Sequence, residues 1–297
     1  MIRATCTIAV VACLASQTFA QGNEAAPEGW VFQLESAYLS QGDSDLSSGS
    51  AFAAERGYLR LGSFNRRADG LSVGLSATLG QTDYDFDTAA PWGRIRENSL
   101  SLTFAGRNRN GMNWFVAPTL RERAETGAGL DDGVTAGAFA GVSWSLNDRL
   151  TIGPAIGAFE GVGSEDVDVF PALLLDWQIS DRFSLTTGPT LGASQGPGLS
   201  LRYALDDDWG VTLSARRESN RFALSDRGAT PGGAGEDTSV PVVVSLNYKP
   251  RPSMNFAVFA GAEFDGQLEV ENAAGATVRK ESYDTAPLLG IAVSLAF

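Results

Sequence analysis

Residues Pro287–Phe297 read PLLGIAVSLAF. Leu289, Ile291, Val293, Leu295 and Phe297 are apolar, and Gly290, Ala292, Ser294 and Ala296 between them are small. A strict period of two is the mark of a β-strand with two unlike faces. A terminal strand of this kind, with no polar tail, frays in water unless it is paired and covered. Its edge needs a neighbouring strand, and its large-residue face needs an apolar medium.

The same alternation recurs upstream at roughly 20-residue spacing. LSVGLSATLG sets Leu71, Val73, Leu75, Ala77 and Leu79 against Ser72, Gly74, Ser76, Thr78 and Gly80. VTAGAFAGVSWSL (134–146) and RFSLTTGPTLGAS (182–194) repeat the pattern. The second face is small and polar, which suits strands with lipid on one side and a lumen on the other. Short connections near NRRADG, RNRNG, LNDRL, ISDRF, LDDDW and YKPRPSMN alternate with seven longer ones, at 40–52, 82–91, 121–133, 160–166, 194–198, 218–238 and 265–282. The expected fold is therefore all-β: one antiparallel up-and-down transmembrane β-barrel over residues 30–297. Fourteen strands are expected, or twelve if the weak stretches at 92–99 and 263–271 are not strands. Both ends lie on the short-turn side. The last strand must close against the first, around Trp30–Leu39, because an open sheet edge does not survive in hydrocarbon.

The large rings cluster near the short turns: Phe64, Phe104, Trp114, Trp144, Trp177, Phe183, Tyr203, Trp209, Tyr248 and Phe256, with Trp30 and Phe297 at the two ends. Rings enter strands by propensity alone. Their collection at one end predicts an interfacial girdle, where an amphipathic ring reaches both lipid and water.

The N-terminus, MIRATCTIAVVACLASQTFAQG, has Arg3, an apolar run through Leu14 and small residues at Thr18 and Ala20. This is the form of a secretory signal peptide over 1–20, cut before Gln21. Residues 21–29, QGNEAAPEG, then form a short periplasmic lead, too short to fold into a plug. VVAC at Val10–Cys13 offers a lipoprotein site, but Cys13 comes early and the apolar stretch runs past it. Cleavage after Ala20 removes Cys6 and Cys13, the only cysteines, so stability must come from closure of the fold rather than disulfides. Arg3 is the only charge removed, so 22 basic residues become 21 against 35 acidic ones. That balance excludes nucleic acid as a natural partner.

An export signal followed by alternating strands and a terminal aromatic resembles the bacterial (Gram-negative) outer-membrane β-barrel class, porin-like, over nearly the whole mature chain. The resemblance is to the class and to no single family within it. It implies that Ile291, Val293, Leu295 and Phe297 are the signal read by the barrel-assembly machinery. It also implies outer-membrane lipid and lipopolysaccharide as surroundings.

Enzymatic chemistry finds little support. There is no histidine, which removes Ser-His-Asp machinery and His-based metal sites. GLSVG at 70–74 matches the nucleophile-elbow spacing, but Ser72 lies in an alternating strand with no strand-to-helix turn. The only lysines, Lys249 and Lys280, lie in a short turn and near a long loop, unsuited to a Ser-Lys pair. TDYDFDT begins like a calcium loop at Asp83, Asp85 and Asp87, yet Thr88 and Arg94 stand where Gly and Glu are required. It reads as a solvated acidic loop, and TPGGAGED (230–237) as a flexible loop tip. No cofactor, metal or catalytic residue is expected.

The face assigned to the lumen carries Glu35, Arg56, Arg60, Glu97, Asp176, Arg202, Arg216 and Glu263 among many Gly, Ser and Thr. These are the expected pore-lining residues of a channel for passive diffusion of small hydrophilic solutes. A non-conducting structural or adhesive barrel, its lumen filled by ion pairs and its acidic loops facing outward, is the alternative. A channel for apolar compounds would need an apolar luminal pocket, which the sequence does not single out. Pro118, Pro154, Pro171, Pro189, Pro241 and Pro287 all fall within expected strands, where each removes a ladder hydrogen bond.

Overall fold

The structure, a computed structural model, describes residues 29–67, 70–109, 111–129, 131–164, 166–189 and 197–297. The expected signal peptide, the lead as far as residue 28, and Glu165 lie outside them. The first strands are β1 (Gly29–Asp45), β2 (Ala51–Arg66), β3 (Leu71–Phe86), β4 (Arg94–Arg107), β5 (Met112–Glu125) and β6 (Val134–Asn147). Next come β7 (Leu150–Glu160), β8 (Val167–Gln178), β9 (Phe183–Pro189), β10 (Pro197–Ala204) and β11 (Trp209–Arg216). The last are β12 (Glu218–Ala223), β13 (Ala234–Arg251), β14 (Met254–Glu271), β15 (Thr277–Tyr283) and β16 (Ala286–Ala296).

These 16 segments make 14 wall strands, because two strands are interrupted without changing register. β11 and β12 lie along β13 in one register, Ala215↔Val242 and Glu218↔Ser239. β16 and β15 lie along β14 likewise, Glu263↔Ala286 and Gly266↔Tyr283. The sheet closes where β16 pairs antiparallel with β1, from Gln33↔Ala296 to Gln41↔Leu288. Phe32 and Phe297 exchange both backbone bonds, at 2.8 and 3.0 Å. The terminal strand is thus paired on both edges, by β1 and β14.

The six short connections, β2–β3, β4–β5, β6–β7, β8–β9, β10–β11 and β13–β14, gather at one end, as the sequence predicts. Several of the opposite loops are shorter than expected because their strands run on, and the one expected at 194–198 lies largely outside the described residues. β3 reaches Phe86, β13 starts at Ala234 and β14 continues to Glu271. TDYDFDT is therefore largely strand, with Tyr84 buried inside and Asp83 paired with Arg94 outside. TPGGAGED likewise enters β13 at Ala234 and delivers Asp237 to the interior. Gly and acidic residues lower strand propensity, so the sequence hides both extensions.

Inside and outside follow the alternation. On β3, Ser72, Ser76, Thr78 and Thr82 are buried, whereas Leu75 and Leu79 are exposed, as lipid-facing residues must be. Trp144, Trp177, Phe183, Trp209, Tyr248 and Phe256 point outward near the short turns. Trp209 stacks on Tyr248 at 4.6 Å, and Phe183 meets Tyr203 at 4.7 Å. Phe64 departs from the expected girdle. It shares the inward parity of Arg56 and Arg60 and is buried over Gly74, whose missing side chain leaves room for the ring.

The prolines sit where the ladder is interrupted. The β4–β5 ladder skips from Ser101↔Thr119 to Phe104↔Val116, around Pro118. The β6–β7 ladder skips from Gly141↔Ala155 to Trp144↔Ile152, around Pro154. Pro241 faces the break between β11 and β12. Pro287 lies against Gly42 in the bulge of β1 between Gln41 and Ser44. On β8, Gln178 N–H points to β7 and Leu175 N–H points to the Thr187 hydroxyl of β9. Strand alternation then puts the missing N–H of Pro171 on the β9 side. The β8–β9 ladder has already ended there, at Asp176↔Thr186, below Pro189. Pro118, Pro154, Pro171, Pro241 and Pro287 thus each have one edge on which rungs are missing, while the other edge stays in register.

Candidate channel lumen

The expected luminal charges face inward, and most are paired there. Arg56, on β2, donates to Glu263 of β14 at 2.6 Å and to Gln41 of β1 at 2.8 Å. It also reaches Asp237 of β13 at 3.3 Å and Glu218 of β12 at 3.9 Å. Tyr84 and Tyr283 donate to the two oxygens of Asp237 at 2.8 and 3.0 Å, and Tyr283 reaches Glu263 at 3.2 Å. Glu263 is only 1% exposed. Such a knot persists because each buried charge has both a countercharge and further hydrogen bonds; removing one partner strands the others.

The other expected lining residues divide into two groups. Arg60 pairs with Glu35 at 3.0 Å and donates to Thr78 at 3.2 Å, while Arg216 pairs with Glu218 at 2.5 Å. Glu97 accepts from Thr82 and Asn220 and lies 3.8 Å from Arg123. Asp176 and Arg202, on β8 and β10, have no ion pair among the described residues. The eight residues therefore do not form one ring. Glu263, Arg56 and Arg216 gather through Glu218 at the β2, β11–β12 and β14 side, and Arg202 and Asp176 stand apart.

Above the knot the wall divides. Opposite Pro241 the pairing with β10 ends at Arg216, and β12, still paired with β13, meets β5 in parallel at Ala223↔Ala124. A bridge between Leu46 and Tyr283 joins β15 to the end of β1. The outer end is thus a smaller circuit, β12–β13–β14–β15–β1–β2–β3–β4–β5, which leaves β6–β11 outside it. An interior of about eight strands is just wide enough for side chains to fill. This nine-segment tier is filled by Phe52, Tyr84, Trp92, Ile95, Phe222, Leu224, Leu268, Val270 and Tyr283. Trp92 meets Phe222 edge-on at 5.0 Å and Tyr84 at 5.7 Å.

A second apolar sector lines β5–β8. Phe115, Phe139, Phe159 and Phe170 follow one another at 5.5 to 6.4 Å, backed by Ala172 and Leu174. Arg121 lies over the Phe159 ring at 3.5 Å. The expectation that the lumen lacks an apolar region is corrected here. These rings occupy the same parity as the small residues and are hidden among them; Gly137 and Gly157 make room for Phe159 and Phe170. Trp92, Phe222, Asp237 and Glu125 were not singled out either, because only the crossing of β12 gives them a shared location.

No protein-family model matches the chain, and no curated protein matches it by sequence. Among solved structures, an outer membrane channel from Pseudomonas putida F1 superposes with a TM-score of 0.50 at 14% identity, over 93% of this chain and 98% of that one. The fold is that of a bacterial outer-membrane β-barrel. Two further similar structures are the P. putida toluene transporter TodX and a Pseudomonas aeruginosa FadL homologue, at TM-scores of 0.48 each. They share 10% and 13% identity, and each match covers 91% of this chain and 90% of the other.

Proposed function

We propose that this protein is a channel of the bacterial outer membrane for passive diffusion of small hydrophilic solutes. One observation carries the reading: 14 strands enclose an interior whose turn-side lining is largely Gly, Ser, Thr and Ala. Inward residues such as Ser72, Ser76, Thr78, Ser214 and Ser245 are short for a circuit of that width, and each is covered by its neighbours, as Thr78 is by Arg60 and Ser245 by Asn247. Their hydroxyls offer donors and acceptors that can replace part of a polar solute's hydration. Glu35, Arg56, Arg60, Glu97, Asp176, Arg202, Arg216 and Glu263 set the field inside it. No chemistry on the solute is involved. Export by the N-terminal signal, contact with lipopolysaccharide, and delivery by the assembly machinery through Ile291, Val293, Leu295 and Phe297 belong to the same reading.

The β5–β8 sector favours a second reading, in which the solutes are small and apolar. Phe115, Phe139, Phe159 and Phe170 suit a ring or an alkyl chain better than a sugar. Proteoliposomes separate the two. Swelling in isotonic sugars and amino acids, faster than in empty vesicles and slowing with solute size, is the result expected. Uptake of a monocyclic aromatic without sugar permeation would establish the apolar reading. Vesicles sealed to both classes would leave a structural or adhesive barrel.

A further inference from the structure

We propose that Arg202 and Lys249 form an anion-binding site on the turn-side wall of the lumen, which takes the carboxylate or phosphate group of a small hydrophilic solute. The proposal deepens the channel reading above by naming a solute class, and the binding step is measurable apart from conduction. Its first support is the charge census. With 35 acidic residues in the chain against 22 basic ones, an inward cation ordinarily finds a carboxylate. Arg56 is paired with Glu263, Arg60 with Glu35, Arg216 with Glu218 and Arg221 with Glu271. Arg202 and Lys249 have no ion pair among the described residues.

The second support is that these two cations share one place. Arg202 stands on β10 opposite Thr212 of β11. Its guanidinium leans across β11 toward the turn, where a Cβ at Gly210 would lie 3.1 Å from Nε and 3.4 Å from Nη2. Glycine at 210 thus leaves the head group room to lie on the wall. Gly210 is paired with Asn247 of β13, and Lys249 follows two residues later on the same inward face. The two side chains approach from opposite sides of β11, and the charge of one acts on the other. Like charges placed together repel, and an anion between them turns that repulsion into two attractions. Arginine brings a planar fork that fits a carboxylate or phosphate, and lysine a mobile point charge.

The third support is the floor beneath them. Asn247 donates to Thr212 Oγ1 at 3.1 Å and to the Gly210 carbonyl at 3.5 Å, which ties β13 to β11 on the inner face. On the outer face Trp209 stacks on Tyr248 at 4.6 Å. Lys249 N–H donates to the Asp208 carbonyl at 2.7 Å. The backbone is therefore fixed before an anion arrives, which lowers the cost of binding. Neighbouring acids do not fill the place. The Asp206 carboxylate caps its own turn, accepting from Asp208 and Trp209 N–H at 2.9 and 2.7 Å. Asp207 and Asp208 are exposed at the rim, and Asp176 stands two strands from Arg202, on β8.

Isothermal titration calorimetry of the purified, folded barrel tests the site, with sodium phosphate and sodium acetate as separate probes. Two temperatures are used, so that a binding enthalpy near zero is not missed. The wild type should bind at least one of the two saturably, and which one it prefers assigns phosphate or carboxylate to the solute. Arg202→Gln and Lys249→Gln should each weaken binding about tenfold, the worth of one hydrogen bond to a charged group. The double variant should abolish it. Arg149→Gln, which removes an exposed turn cation paired with Asp181, should leave it unchanged. An equal loss in Arg149→Gln reduces the effect to net charge and overturns the site. Absence of saturable binding of either anion to the folded wild type also overturns it, and leaves the channel standing. Binding to a barrel that is silent in planar bilayers keeps the site and overturns the channel reading. If the double variant does not fold, as judged by heat-modifiable migration, the single variants decide: unchanged affinity in both rejects the pair.

Discussion

In the turn-side half of the barrel the inward positions include Ser72, Ser76, Thr78, Ser214 and Ser245, with Phe64, Phe115 and Phe259 among them; in the outer half they include Phe52, Tyr84, Ile95, Phe222 and Tyr283. Both sets obey the same period of two. The turn-side half is a 14-strand circuit whose lining mixes short side chains with a few rings, and the outer half is a nine-segment circuit filled by rings. Between them lies the Arg56 knot, contributed by β1, β2, β3, β12, β13, β14 and β15. Circumference decides the contrast. Closing β12 on β5 shortens the outer circuit until side chains meet across it, whereas the full circuit is wider.

The largest test of this contrast is to break the knot. Arg56→Ala leaves Glu263 and Asp237 buried without their countercharge, and loss of one partner of a buried pair costs about 3–5 kcal/mol. Urea unfolding of the folded barrel should show that loss, and Ser76→Ala in the turn-side half should stay near wild type. Equal effects at both positions would mean that the two halves do not differ in how tightly they are packed.

Phe297 comes next. Its backbone makes the last rungs to Phe32, while its ring is 71% exposed on the outer face. Deleting it, or Phe297→Asp, should slow assembly and raise periplasmic degradation, read by heat-modifiable migration on gels. Wild-type yield in both variants would remove Phe297 from the assembly signal. The effect concerns closure of the wide circuit, so the outer tier should fold normally in whatever barrels form.

A smaller effect is expected at Arg202. Arg56, Arg60 and Arg216 are spent in ion pairs, whereas Arg202 has none among the described residues. Acidic residues at the outer loops and strand ends raise the local cation concentration, over a screening length of about 8–10 Å near physiological salt. Conductance should therefore prefer cations modestly, less so as salt rises. Arg202→Ala should strengthen that preference, measured as a reversal potential across a salt gradient. Arg60→Ala should mainly destabilise. Anion preference in the wild type would show that unpaired luminal cations set the field.

The smallest effect tests the prolines. At Pro154 the two missing β6–β7 rungs could be restored by a residue with an N–H. Pro154→Val should change stability by no more than about 1 kcal/mol, the span of strand preferences. Urea midpoints measure it.

Much of this barrel was legible without coordinates. The alternation in Pro287–Phe297, Leu71–Gly80 and Val134–Leu146 determined which residues face in and which face out, and the need to close the edge determined that β16 pairs with β1. Six short turns against seven loops determined the strand number. These are local properties: a period of two and a turn can be read within ten residues. The tertiary structure alone decided which inward residues meet. Arg56 finds Glu263 and Asp237 across 207 and 181 residues of chain, through a register and stagger that no local pattern encodes. It also decided that β12, still paired with β13, meets β5 across the barrel, because that contact depends on the end of the β10 pairing at Arg216 and on the fit of Phe222 against Trp92. Facing is set along a strand, and meeting is set across the barrel.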